Sequence, residues 1–550
     1  MSNEDEGVTE GAGKDEVSTR LASSLVAAGI LLSKFSGLIR EVVFSRYFGT
    51  TGYADVLRAG IRMPNLLQNL LGEGTLSASF IPVYSKLLHE GREEDAGRVA
   101  GAIFGLLFAL AGGLVLVGVL FAPFLVSVLL VGFEDERRAL AIQVVRIIFP
   151  MTGILVLSAW ALGILNSHRR FFIAYVAPVF WNAAIIGTIL LFGSGMELDR
   201  LVVAAAWGAL LGGVLQFLVQ LPSVLRLQRR LRPSLNIGLA PVREVMRNAG
   251  PAIVGRGVVQ LSGYVDMVLA TLLAIGAVGT IGYAQTLYLL PVSLFGMSVA
   301  AAELPELARS SGSSTDVLRL RTNAGLERIA FFVVPSFVAF VALGDVLVSG
   351  LFEGGEFSPD DTLLVYWTLA ALSVGLLAST GTRLFSSTFF ALRDTRTPAR
   401  FATARVILAA LLGFLLMTQF EPIAKIGIPG GVFSGLATPG GQRLGAVGLA
   451  LGSGLASWLE WALLRRSLRR RLGEVGAGGG RVARMFLAAL LAGATGWLVR
   501  LLTEEAVGPL VLAVLVFTAF GIVYFVVATI LRLGEADLIR TRLMRMVGRG

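Results

Sequence analysis

Charged side chains recur at helical spacing in the first two hydrophobic segments of the chain. In the first, Lys34, Arg40 and Glu41 share one side of a helix with small residues. In the second, polar residues recur every three or four positions and form one stripe: Asp55, Arg58, Arg62, Asn65, Asn69 and Glu73. Pro64 lies within this stripe and predicts a kink in the helix. The remaining faces are apolar, so we expect both polar faces to line a cavity.

This group of charges predicts an anion-binding site inside a membrane. One charge at the bilayer centre costs about 2.5–3.5 kcal/mol on insertion scales, so the group is not expected to face lipid. Cations outnumber acids in it, and Arg58 and Arg62 are like charges one helical turn apart, which a bound anion would relieve. Arg256 and Asp266 repeat the pattern in the seventh hydrophobic segment. Guanidinium groups bind phosphate through paired hydrogen bonds, so we expect a phosphate-bearing substrate.

The composition is that of a membrane protein. The chain is 55% hydrophobic and 15% charged, with a mean hydropathy of +0.76, whereas soluble domains contain about 25% charged residues. The net charge of +10 is therefore interpreted as Arg-rich cytoplasmic loops, not as a nucleic-acid-binding surface. The absence of Cys excludes disulfides and thiolate chemistry. We predict no metal or other cofactor, and the sequence leaves the coupling ion open.

Hydropathy predicts about fourteen membrane spans, with residues 125–133 forming a short interfacial or re-entrant piece. Lys and Arg concentrate in the loops after even-numbered spans, which predicts that both termini are cytoplasmic. The approximate span limits are 21–45, 53–86, 98–122, 139–164, 171–194, 200–226, 245–273, 279–308, 325–350, 362–391, 399–420, 443–465, 482–502 and 508–533.

Two pairs of segments resemble each other at a displacement of roughly 220 residues, or six spans. LVSVLLVGFEDERRAL resembles LVSGLFEGGEFSPDDTLL, and LGILNSHRRFF resembles TFFALRDTRTPAR. Convergent loop chemistry is one explanation, and a parallel duplication typical of transporters is the one we favour. The predicted all-α organisation is a disordered cytoplasmic tail at 1–20, six-helix lobes at 21–232 and 233–471, and two extra helices with a basic cytoplasmic tail at 472–550.

The stretch SGLIREVVFSRYFGTTGYADVLRAGIRMPNLLQNLLGEGTLSASFIPVYSKL resembles the MurJ (MviN) family. These are lipid II flippases of the multidrug/oligosaccharidyl-lipid/polysaccharide exporter superfamily. LGILNSHRRFFIAYVAPVFWN and LRDTRTPAR extend the resemblance. It implies two six-helix lobes around a cavity for the pyrophosphate-sugar head of lipid II. It also implies a groove beside the last two helices for the polyprenyl tail.

The resemblance also implies roles for particular residues. Lys34 stands where the family usually has Arg, and Arg40 matches the next cavity Arg. Two departures concern charge: Gln68 and Asn69 replace a frequent Arg pair, and Gln285 and Thr286 replace a frequent Asp-Arg pair. Arg58 and Arg256 are candidates to supply the missing charge. The expected substrate contacts are Lys34, Arg40, Arg58, Arg62, Asn65 and Arg256, and the residues expected to organise the cavity or couple transport are Glu41, Asp55, Glu73, Asp266 and Gln285.

The expected function is therefore a monomeric, multi-pass transporter of the bacterial inner membrane, not an enzyme. It would move a polyprenyl-pyrophosphate-linked saccharide, with lipid II as the first choice, by alternating access. One alternative is a flippase for another polyprenyl-linked glycan, which the missing cations favour. Another is an ion-coupled drug antiporter, for which an acidic cavity would be expected. A polyprenyl glycosyltransferase would need a larger acidic or metal-binding external loop.

The loop charges predict topology that can be measured, because the chain has no native Cys. Cys replacements of Arg229, Arg470 and Glu356 should be labelled in intact spheroplasts by an impermeant maleimide only at position 356. Labelling at position 229 or 470 would reverse the predicted orientation.

Overall fold

The computed structural model describes residues 28–297, 299, 315–537 and 540–541, and their regular structure is helical. It does not describe the side chains of residues 66, 254–256, 258–259, 261–262 and 296–297. The predicted disordered tail at 1–20 lies outside the described residues. Three isolated pairs of extended residues lie in loops. The prediction of an all-α fold is confirmed.

The helices are named here in chain order. The first ten are α1 (28–48), α2 (Gly52–Arg62), α3 (Asn65–Leu71), α4 (Glu73–His89), α5 (Glu93–Leu120), α6 (Ala122–Leu129), α7 (Asp135–Ser167), α8 (Phe171–Phe192), α9 (Leu198–Leu227) and α10 (Ala240–Thr271). The next nine are α11 (Ala277–Pro291), α12 (Thr315–Ala342), α13 (Gly344–Phe352), α14 (Pro359–Ser373), α15 (Leu376–Ala391), α16 (Arg396–Phe420), α17 (Gly445–Leu472), α18 (Gly479–Thr503) and α19 (Pro509–Ile530).

The described residues form two compact units. The first contains residues 28–47 and Val56–Tyr264, and the second contains Phe48–Asp55 and the residues from Val265 onward. In the first unit, α7 packs against α5 and α9, and α8 packs against α9. In the second, α16 and α17 form a closely packed pair, and α18 packs against α12 and α19. The predicted lobe boundaries stay a prediction.

The helices are long and apolar enough for a multi-pass membrane protein. Ten helices in the described part meet that criterion, and the pair α14–α15, bent by 42°, makes an eleventh span if it is counted as one. Large apolar side chains on the outside of α1, such as Leu31 and Phe35, are exposed, whereas Ser36, Glu41 and Ser45 are buried. Apolar exposure with polar burial is the pattern expected in lipid. The count of fourteen spans stays a prediction.

The second predicted span, 53–86, is broken into three helices, so the prediction of one kinked helix is wrong in part. The first break, between α2 and α3, falls at Pro64 as predicted, because proline lacks the N–H of a continuous helix. The second break falls at Gly72, whose extended ψ of −146° ends α3 and precedes α4. The polar stripe from Asp55 to Glu73 is therefore distributed over three separate helices.

The segments that resemble each other in sequence adopt similar local structures. Short helices, α6 and α13, overlap the first pair of segments; α6 begins and ends earlier than the predicted piece at 125–133, whose interfacial or re-entrant position stays a prediction. In the second pair, Arg169 and Arg393 both have a φ of 58°. Each helix end closes with the same hydrogen bond, from Arg170 N to Leu165 O and from Asp394 N to Phe389 O. Because Gly91 ends α4 in the same way, this turn alone does not establish duplication.

The loop after Arg393 is fixed by a carboxylate. Asp394 accepts hydrogen bonds from the backbone N–H and the hydroxyl of Thr397 at 3.0 and 2.7 Å, and from Arg471 at 2.6 Å. These donors, Thr397 first, lower the pKa of Asp394 to about 2. The carboxylate is therefore ionised at neutral pH and joins the start of α16 to the end of α17.

The left-handed conformation of Arg169 predicts that glycine substitutions at positions 169 and 170 change the stability of the protein in opposite directions. Arg169→Gly removes a side chain from a left-handed position and should stabilise the protein by about 0.5–1 kcal/mol after the entropy of glycine is subtracted. The measurement is the thermal unfolding midpoint in detergent. Arg170→Gly is the control, because Arg170 has an ordinary φ of −90° and its replacement should lower the midpoint slightly. A fall for Arg169→Gly as large as that for the control would contradict the argument.

Candidate functional site

The charges of α1 and α2 meet at one carboxylate in the first unit. Glu41 accepts a hydrogen bond from Nη2 of Arg40 at 2.7 Å through one oxygen and from Nη2 of Arg58 at 2.6 Å through the other. The exposed fractions of the three side chains are 9% for Glu41, 21% for Arg40 and 15% for Arg58. Two guanidinium groups thus share one acid, and the cluster retains an excess positive charge.

Helix α8 holds Arg40 from the other side. Nη1 of Arg40 donates to the amide oxygen of Asn182 at 3.0 Å, and the guanidinium lies 4.8 Å from the ring centroid of Trp181. The amide nitrogen of Asn182 donates in turn to Ser36 on α1 at 2.8 Å. Arg40 is therefore fixed by a carboxylate, an amide and an aromatic ring at once.

Close packing of α8 on α9 positions these two residues. A Cβ at Gly212 would lie 2.7 Å from the carbonyl oxygen of Trp181, so the helices approach more closely than a side chain allows. The Trp181 indole donates to the carbonyl of Ala209 at 3.1 Å, which anchors the ring beneath Arg40. Asn182 was not predicted as a site residue, although a polar residue inside an apolar span is a signal that could have identified it.

Lys34 differs from its neighbours on α1. It is exposed, and no carboxylate in the described part of the chain lies within ion-pair distance of it. Arg58, which bonds Glu41, also contacts an aromatic ring, because its guanidinium carbon lies 4.8 Å from the ring centroid of Phe44. The predicted face of α1 therefore combines one exposed cation with a paired and partly buried cluster.

The break between α2 and α3 orients Arg62. The hydroxyl of Tyr264 on α10 donates to the carbonyls of Arg62 and Met63 at 2.8 and 3.0 Å, which satisfies backbone groups at the break. Nη2 of Arg62 passes 2.8 Å from the position that a Cβ at Gly263 would occupy, so the Arg62 side chain lies against α10. The backbone of Arg256 belongs to the same helix, and its side chain lies outside the described part.

A separate polar cavity of about 450 Å³ lies within the first unit. Amide, hydroxyl and carboxylate groups line it together with apolar side chains, and no Lys or Arg is among the lining residues that the structure describes. The polar members are Gln68, Asn69, Glu73, Ser77, Ser158 and Gln216. The amide of Asn69 also donates to Gln260 on α10 at 3.1 Å. Asn69 lies on α3 and Glu73 begins α4, so the predicted stripe is carried by several helices, and the role of both residues in the same site as Glu41 stays a prediction.

Asp55 has a structural contact that the sequence did not reveal. Its two oxygens accept the backbone N–H groups of Gly276 and Gly279, each at 2.8 Å, at the start of α11. Asp55 is 1% exposed, and Gly276 has a φ of 92°, a conformation that favours glycine. Asp55 thus caps a helix within the second unit.

The remaining predicted residues are more dispersed. Asp266 and Gln285 belong to the second unit, and both are half-buried. Thr286 bonds its own helix at Gly282 O, at 3.0 Å. Asn65 is half-buried at the start of α3. The described residues contain no group of three His, Cys, Asp or Glu side chains that could hold a metal ion.

The family model described as "Lipid II flippase MurJ" matches residues 44–518, which is most of the chain. The chain belongs to the lipid II flippase MurJ family. A relative named probable lipid II flippase MurJ, from Rhizobium tropici, is 31% identical over 541 residues, which cover 94% of this chain and 96% of the relative. The resemblance found in the sequence is thereby confirmed.

Solved structures agree on the fold. A lipid II flippase MurJ in an inward closed conformation has a TM-score of 0.74 at 22% identity and covers 94% of this chain and 99% of its own. An inward-facing multidrug resistance MATE transporter of the MOP superfamily has a TM-score of 0.63 at 18% identity, covering 80% of this chain and 95% of its own. The chain therefore shares the fold of these proteins. In this chain, that fold brings Arg40, Glu41 and Arg58 together.

Removal of the shared carboxylate should destabilise the protein. Glu41→Gln leaves two adjacent guanidinium groups without their acid, and breaking a buried ion pair in this way costs about 3–5 kcal/mol. The thermal midpoint of Glu41→Gln should fall, and adding Arg58→Gln should restore part of the loss because one uncompensated charge disappears.

The matched control is Glu474→Gln. Glu474 also pairs with an Arg, Arg469, but is 75% exposed, so its replacement should leave the midpoint unchanged. If Glu41→Gln behaves like this control, the shared carboxylate does not hold the cluster together.

Proposed function

We propose that this chain is a flippase that moves lipid II from the cytoplasmic leaflet to the outer leaflet of the bacterial inner membrane by alternating access. In this proposal Lys34, Arg40, Arg62 and Arg256 bind the pyrophosphate. Arg58 contributes charge to the same site, and Asn65 and Glu73 contact sugar or peptide groups. The chain acts as a monomeric transporter and not as an enzyme, and both of its termini are cytoplasmic.

The observation that carries the proposal is the excess of cations at the Glu41 cluster. One carboxylate serves Arg40 and Arg58, and Lys34 adds an exposed ammonium on the same helix. Guanidinium groups bind the oxygens of phosphate in pairs, and a site that is shielded from bulk water strengthens this attraction. A pyrophosphate carries the complementary charge, so the residual positive charge favours a phosphate-linked lipid over a neutral one.

The amide-lined cavity supports the second part of the proposal. Gln68, Asn69 and Gln216 present both donors and acceptors, which suit sugar hydroxyls and peptide amides better than phosphate. The same cavity favours the alternative function, a flippase for another polyprenyl-linked glycan, because its chemistry accepts many neutral sugars. A cation-rich cluster disfavours a drug antiporter, for which acids would be expected.

Replacement of the host flippase tests the proposal most directly. When the lipid II flippase of a bacterial host is depleted, expression of this chain should sustain growth and normal cell shape. A host that dies although the chain is inserted in its membrane, while another lipid-linked glycan reaches the outer leaflet, would support the alternative glycan.

The phosphate contacts predict which conservative changes fail. Arg40→Lys and Arg62→Lys keep the charge but lose the planar guanidinium, so both should insert normally and lose most transport. Arg46→Lys is the control, because Arg46 is exposed near the end of α1 and should behave like wild type. Complementation, membrane abundance and thermal midpoint are measured together. Normal transport by both Lys variants would rule out recognition by guanidinium geometry.

A further inference from the structure

Helix α15 in the second unit has one polar face that is open. Its residues are mostly buried, but Arg383 is exposed, and Ser379 and Ser386 on the same face are half-buried. Arg383 is the eighth of the sixteen residues of α15, so its charge lies at the middle of the helix. Because a serine precedes it by one turn and another follows it by one turn, this face is suited to water and not to lipid.

The guanidinium of Arg383 has no hydrogen-bond or ion-pair partner among the described residues. Its electrostatic neighbours are Tyr288, Arg405 and Glu460. Nε of Arg405 on α16 lies 3.0 Å from Oε2 of Glu460 on α17, and this pair is mostly buried. Glu460 thus forms an ion pair with Arg405, and Arg383 is a second Arg close to it. The group has one positive charge in excess, as the Glu41 cluster does.

Hydroxyl groups complete the surroundings of Arg383. The hydroxyls of Tyr288 on α11 and Ser379 on α15 form a hydrogen bond of 2.6 Å. Packing fixes the helices that carry the charges, since a Cβ at Gly381 would lie 3.1 Å from the indole nitrogen of Trp461 on α17. The open face therefore offers an exposed guanidinium on a closely packed helix, with hydroxyl groups beside it and a second Arg nearby.

We propose that Arg383, supported by Arg405, Tyr288 and Ser379, forms a second phosphate-binding site in this chain, located within the second unit. The inference rests on the proposed function, because its ligand is the phosphoryl group of the lipid-linked substrate. Guanidinium and hydroxyl donors together match the oxygens of a phosphate. Glu460 keeps Arg405 in place and limits the net charge, so that the site binds a phosphate and still releases it.

The test uses the full-length chain in nanodiscs of phosphatidylcholine, with lipid II and inorganic pyrophosphate as the two probes. Arg383→Gln should reduce the number of pyrophosphate ions bound per chain from two to one, and it should weaken the binding of lipid II, whose headgroup uses both sites, at least tenfold. Its thermal midpoint should equal that of wild type, because the guanidinium has no hydrogen-bond or ion-pair partner among the described residues. The matched control is Arg466→Gln, since Arg466 is also an exposed Arg of the second unit, and its replacement should change neither affinity.

The outcomes separate the inference from the proposed function. If wild type binds pyrophosphate but not lipid II, the proposed function fails, and the pyrophosphate measurement still tests the site. If Arg383→Gln binds both probes as wild type does, or lowers the thermal midpoint, the inference is overturned. A third arm adds phosphatidylglycerol to the nanodiscs. If Arg383→Gln changes only the retention of this anionic lipid, Arg383 binds surrounding lipid and the assignment to substrate is overturned.

Discussion

The central constraint on this protein is the sharing of one buried carboxylate by two arginines inside a bilayer. Glu41 bonds Arg40 and Arg58 at 2.7 and 2.6 Å, so neither guanidinium faces lipid as an isolated charge. A second carboxylate beside Arg40 and Arg58 would neutralise the cluster and remove its attraction for an anion. A missing acid would leave the charges too costly to bury. Counted over Glu41, Arg40 and Arg58 alone, the cluster has one more positive than negative charge.

The geometry of the cluster depends on packing some distance from it. Gly212 lets α8 approach α9 closely, which places Trp181 and Asn182 against Arg40. The amide-lined cavity of about 450 Å³ in the first unit has no Lys or Arg among its described lining residues. In the proposed function, charged and neutral parts of a glycolipid headgroup would contact different helices, because the breaks at Pro64 and Gly72 divide the polar stripe.

Much of the fold was predictable from the sequence, because long apolar segments and charged loops carry strong local signals. The helical periodicity placed Arg40 and Glu41 on one face, but it could not show that Glu41 also reaches Arg58 on the next helix. The break at Gly72 was missed because glycine inside an apolar segment is also compatible with a continuous helix. Asp55 was predicted to organise the cavity, but its hydrogen bonds to the backbone groups of Gly276 and Gly279, far away in the chain, could not be predicted. Contacts between distant residues are not encoded in the spacing of either segment alone.

The central claim is that positive charge retained inside the membrane recognises a phosphate-linked lipid. The most direct measurement compares the affinity of the purified chain for lipid II and for a glycolipid with the same sugars, peptide and tail but no phosphate. The account predicts that lipid II binds at least tenfold more tightly, which corresponds to about 1.4 kcal/mol. Equal affinities for the two lipids would contradict it.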